Sequence, residues 1–175
     1  SIGKKLTFLQ TSIIQILTNG KSRYSLPTDY SSDIAVEILD GNTRGTAQAG
    51  STTSITLAAT DTSTDIVSKE IVITTGTGLN SISRVTAFNS TTKVATMSPA
   101  WVAPASGSEY MIIDTTYPLT EFAIQSLRQS GNMITRGIPS NYYLVGSSSD
   151  GELELYPIPY QSDSHVMACR LTYYA

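Results

Sequence analysis

This sequence of 175 residues is poor in the groups that build reactive centres, holding one cysteine, one histidine and one tryptophan. A single thiol excludes an intrachain disulfide, and Cys169 falls in an apolar strand-like run with nothing beside it to lower its pKa, so a buried structural thiol is expected. His165 and Cys169 share one face of that run, but two ligands are too few for a zinc-type site, and neither metal nor cofactor is expected. Charged residues make up 14% of the chain, against about a quarter in an average domain. The net charge of −3 comes without any basic run, which argues against a grip on nucleic acid, whose backbone is held by clustered Lys and Arg. No apolar run reaches membrane-spanning length and no signal peptide of the usual layout is visible, so no membrane contact is expected. The chain opens at Ser1 without an initiator methionine and stops at Ala175 directly after a strand-like run, so flanking segments are expected.

What is present is mostly β in pattern, with Ser and Thr supplying the polar surface that charge does not. Leu6–Phe8 and Ile13–Leu17 are apolar and β-branched, and Asn19-Gly20 is a strong hairpin signal, so a hairpin is expected whose second strand ends at Pro27. A helix over Leu6–Leu17 is the alternative, from the stripe Leu6, Leu9, Ile13, Ile16 and Leu17. Ile34–Leu39 reads as a strand that turns at Asp40-Gly41-Asn42. From Gly45 to Asp114 short β-branched runs alternate with Gly, Thr, Asn and Ser, the pattern of an all-β sandwich or barrel module inserted between 1–44 and 115–175. Pro118, the stripe Leu119, Phe122, Ala123 and Leu127, Arg128 in the last turn and Gly131 as a stop predict one short amphipathic helix. Strands are expected again over Tyr142–Val145, Glu152–Tyr156 and Val166–Tyr173. The fold class is therefore α+β, mostly β: a discontinuous core of strands plus one helix, carrying an inserted β module.

No catalytic residue emerges. Asp163, Ser164 and His165 hold the three residue types of a hydrolase triad, but sequence neighbours cannot converge as nucleophile, base and orienter. Thr75-Gly76-Thr77-Gly78 lacks the Lys-Ser/Thr and helix start of a phosphate cradle and reads as a hairpin turn. Gly146-Ser147-Ser148-Ser149 has no helix following the turn and is not a nucleophile elbow. Asp29, Asp33, Glu37 and Asp40 read as turn caps and a solvated strand face, and Asn89-Ser90-Thr91 as a chance glycosylation pattern.

The remaining signal is a pattern cut in two. Tyr24-Ser25-Leu26-Pro27-Thr28-Asp29-Tyr30 lies near the start; Gly137-Ile138-Pro139-Ser140-Asn141-Tyr142 and Leu153-Glu154-Leu155-Tyr156-Pro157-Ile158-Pro159 lie near the end, followed by Leu171-Thr172-Tyr173-Tyr174. In order and spacing these segments resemble the head-to-tail adaptor (connector) proteins of tailed bacteriophages, and the wording of 45–114 looks like a β module inserted in many phage structural proteins. The resemblance implies a structural virion protein of the neck, assembled in the bacterial cytoplasm: a homo-oligomeric, twelvefold ring that binds the portal protein on one side and tail tube, nozzle or tail fibre proteins on the other. A mildly acidic lining would let DNA slide through without holding it. A receptor-binding or decoration β module is the alternative. Six of the ten tyrosines fall from Tyr142 onward, and Tyr buries a large ring while keeping its hydroxyl satisfied. Tyr142, Tyr143, Tyr156, Pro157, Pro159 and Tyr160 are accordingly the candidate intersubunit contacts.

Overall fold

Strand-compatible alternation becomes strands almost throughout the computed structural model, which describes residues 9–122, 135–146, 151–160 and 166–175. One antiparallel sheet runs in the order β1 (Gln10–Ile16), β17 (Ala168–Tyr174), β3 (Ser32–Asp40), β11 (Thr115–Pro118). A second, four-stranded, runs β12 (Thr120–Glu121), β14 (Asn141–Val145), β15 (Glu152–Tyr156), β2 (Arg23–Ser25). β13 (Arg136–Gly137) and β16 (Ile158–Pro159) form a small parallel ladder beside it. All of these come from the two flanks of the chain. The intervening residues form one seven-stranded sheet: β4 (Thr43–Thr46), β10 (Glu109–Ile112), β7 (Glu70–Thr75), β8 (Ile82–Asn89), β9 (Val94–Ser98), β6 (Ser54–Thr56), β5 (Ala49–Ser51).

Period-two patterning decides which core each strand feeds. In β17, Cys169, Leu171 and Tyr173 alternate inward; Cys169 and Leu171 join Val36 and Ile38 of β3, together with Tyr24, Tyr142, Leu153 and Leu155, in a core made by the flanks. Ile55, Leu57, Ile71, Ile73, Val85, Trp101 and Tyr110 make a separate core in the seven-stranded sheet. A third cluster joins the two: Ile14, Leu39 and Ala168 from the flanks meet Val72, Met111 and Ile113. Each fully buried Ile or Leu contributes about 1.5–3 kcal/mol. Charged groups tie the same seam, with Arg170 of β17 reaching both Glu37 and Glu70, and Arg44 donating to the Val166 carbonyl at 2.7 Å.

The chain leaves and rejoins the flanks at one point. The Asp114 N–H donates to the Asp40 carbonyl at 2.9 Å, and the Asn42 N–H to the Asp114 carboxylate at 3.0 Å. Gly41 makes this approach feasible, since a Cβ there would lie 1.8 Å from the Ile112 carbonyl oxygen.

Three expectations fail. Asn19-Gly20 does turn, with Gly20 at φ +75°, but it is a corner and not a hairpin: β1 pairs with β17, while β2 pairs with β15 in another sheet. The alternative helix over Leu6–Leu17 fails too, since Gln10–Ile16 is strand. The helix expected from Pro118 is also corrected, because Thr115–Pro118 and Thr120–Glu121 are strands and among the described residues there is no helix; Ala123, Leu127, Arg128 and Gly131 lie outside them. Proline has no N–H to donate, which suits an outward edge position as well as a first helical turn. The Leu119 N–H donates to the Val36 carbonyl at 2.8 Å, carrying the edge on into β12. The mostly-β class stands.

Candidate assembly surface

The candidate contact residues are set by the register of β14 on β15, which pairs Asn141 with Tyr156 and Tyr142 with Leu155. Tyr142 and Tyr143 point to opposite faces of β14, and both are buried. The Tyr142 hydroxyl donates to the Ile34 carbonyl at 2.8 Å, locking β14 onto β3. Tyr143 lies opposite Glu154, which is paired with Arg23 at 2.8 Å; burial first, then Glu154, pushes the Tyr143 hydroxyl up to about 12. Both rings are buried within the subunit and neither is displayed. Tyr142 packs into the flank core and Tyr143 is buried on the other face beside Glu154, which alternation within one strand does not reveal.

The other four lie at a corner. β15 ends at half-buried Tyr156, whose carbonyl accepts the Ser140 N–H at 3.0 Å, and the chain turns at Pro157 into β16. Pro159 is buried and its carbonyl accepts the Gly20 N–H at 2.9 Å, so the Asn19-Gly20 corner is clamped to this ladder. The Tyr160 N–H donates to the Gly137 carbonyl at 3.1 Å, which brings Tyr160 and Ile138 side by side in backbone terms at the ladder's end. Tyr160 is 57% and Ile138 49% exposed, large apolar groups with no cover among the described residues. Tyrosine counting missed Ile138; its place in Gly137-Ile138-Pro139, an extended run closed by proline, was the available signal.

Away from the corner, the two halves of the split pattern meet. Tyr24 pairs with Leu153, and the Tyr173 hydroxyl donates to the Asp29 carboxylate at 2.7 Å. Burial and that carboxylate push the Tyr173 hydroxyl up to about 12. Asp29 thus serves Tyr173, Glu37 serves Arg170, and the Asp40 carboxylate accepts the Gly41 N–H, so these carboxylates act as caps and braces. Cys169 is fully buried, and burial pushes its thiol up to about 12. Gly76 and Gly78, both at positive φ, turn β7 into β8.

Asp163, Ser164, His165 and Ser147–Ser149 lie outside the described residues. Among the described residues no three His, Cys, Asp or Glu side chains gather as a metal site, and no helix is long and apolar enough to cross a membrane. No family model, curated protein or solved structure matches the chain.

Proposed function

We propose that this chain is a structural subunit of a ring that joins the portal of a phage capsid to the tail, with the flank sheets as the ring body and the seven-stranded sheet as an outward-carried module. The observation that supports it is the packing of both halves of the adaptor-like pattern into one core, with Leu26, Leu153, Leu155 and Leu171 in shared contact and Asp29 holding Tyr173. A protein of this kind works by assembly and not by turnover. Each subunit offers one patch to its neighbour and a different patch in return, a heterologous contact that closes when the rotation is fixed. The corner bearing Ile138, Pro157 and Tyr160 is one such patch, with proline limiting the entropy lost on docking.

The test is mass in solution with particle imaging, in the presence and absence of a portal ring. A large closed ring, or recruitment into one, is the expected result; a compact trimer would favour a receptor-binding module, and a monomer ignored by the portal would refute the proposal. Tyr160→Ala should weaken ring assembly while leaving the melting temperature of the isolated subunit nearly unchanged, because an exposed ring contributes little to the subunit's own fold. Equal loss of both would make Tyr160 a part of the fold, and unchanged assembly would put the contact elsewhere.

A further inference from the structure

The edges of these sheets are guarded unequally. A strand edge with free N–H and C=O groups invites pairing, and proteins protect such edges with proline, charge, brevity or cover. β11 ends in Pro118, β2 and β12 have three and two residues, Pro104 packs against β5 at Gly50, and β4 clasps Val166 through Arg44. Among the described residues β1 has none of these guards. It runs seven residues, Gln10 to Ile16, without charge, proline or bulge, and among the described residues it pairs on one side only.

Its register tells which groups face outward. Leu17 N–H donates to Met167, and Ala175 N–H to Leu9, so the odd-numbered residues turn their N–H and C=O toward β17. The even-numbered ones then point theirs away. The Ile16 carbonyl is taken by the Gln15 side-chain amide at 2.9 Å, which leaves Gln10, Ser12 and Ile14 offering outward donors and acceptors at alternate positions. Beside them opens a groove of about 450 Å3 lined by Ser12, Ile13, Ile14, Gln15, Asn80 and Ile82. No lining residue is charged.

We propose that the outer edge of β1 takes up an extended, uncharged segment of a partner protein as an added strand. Outward backbone groups at alternate positions would supply the affinity, and the groove beside Ile14 and Ile82 would select apolar side chains at every second position of the guest. A charged guest would have to leave its charge unpaired against Ile14 and Ile82. This goes beyond the ring reading and does not depend on it.

The experiment titrates the full chain with a fluorescent, end-capped Thr-Val-Thr-Val-Thr peptide, followed by anisotropy. Saturable binding is expected, with at least tenfold loss when alternate peptide nitrogens on the pairing side are methylated. Ser12→Pro removes an outward N–H that no described strand uses, so the protein should stay folded while binding falls at least tenfold. Ser12→Lys, which keeps the backbone and adds a guarding charge, should reproduce the loss and stands in if the proline variant fails to fold. No binding, or binding indifferent to methylation or to both Ser12 variants, would overturn the proposal. Self-association of the unaltered chain that both Ser12 variants abolish would give this edge to a second copy and overturn the partner assignment. A ring that survives both variants would leave it standing.

Discussion

Asp61 lies 8% exposed in the core of the seven-stranded sheet, where a carboxylate is tolerable only because donors converge on it. Tyr110 donates at 2.7 Å and the Ser63 N–H at 2.8 Å, while the Tyr110 oxygen accepts the Ala58 N–H at 3.1 Å. Burial pushes the Asp61 carboxyl up, but the hydrogen bonds from Ser63 and Tyr110 outweigh it and hold the group below the usual carboxylate range. A depressed folded pKa contributes stability that is complete above the unfolded value of about 4 and is lost as pH falls through the folded one. Tyr110→Phe removes one donor and strands the Ala58 N–H, and should cost about 1–3 kcal/mol at neutral pH. In urea titrations across a pH series, the difference between Asp61→Asn and the unaltered protein should shrink on acidification. A pH-independent difference would show that the carboxylate charge is not what these donors stabilise.

At the scale of elements, close approach and pairing matter more than propensity. Gly41→Ala should push the β3–β4 connection off the Ile112 carbonyl and lower the melting temperature well beyond the effect of Gly20→Ala. At Gly20 nothing lies within 4 Å, and only the backbone preference of about 1 kcal/mol is at stake. Equal effects of the two substitutions would mean that the connection relaxes freely. The same contrast explains what could be read from the sequence. Ile34–Leu39, Tyr142–Val145, Glu152–Tyr156 and the runs of 45–114 were legible because β-branched alternation bounded by turn residues is local. The pairing of β1 with β17 was not, since its partners are 160 positions apart in sequence at Ser12 and Thr172, and no local pattern encodes a distant register. Pro118 misled because its missing N–H is equally harmless at a helix start and at an outward sheet edge. Of the candidate contact set, exposed Tyr160 was legible as aromatic surface, whereas burial of Tyr142 and Tyr143 depends on what covers each face of β14.

For the whole molecule, the joining cluster of Ile14, Leu39, Val72, Met111, Ile113 and Ala168 makes the two cores interdependent. Met111 is fully buried there, and Met111→Ala should cost about 2–5 kcal/mol and split thermal unfolding, expected as a single transition in the unaltered protein, into two. Replacing 43–112 by a short Gly/Ser bridge should leave the flanks folded, with a lower melting temperature because Leu39 and Ile14 lose their cover. Flanks that unfold outright on that deletion would show that the seven-stranded sheet is a necessary part of their core. The meeting of Asp40 with Asp114 also carries a mechanical consequence. Tension drawn through the flanks can cross directly from β3 to β11 along their shared hydrogen bonds, so a pull on the flanks would be borne by their own sheets, leaving the seven-stranded sheet slack and, away from Val72, Met111 and Ile113, free to vary in sequence without altering how the chain resists it.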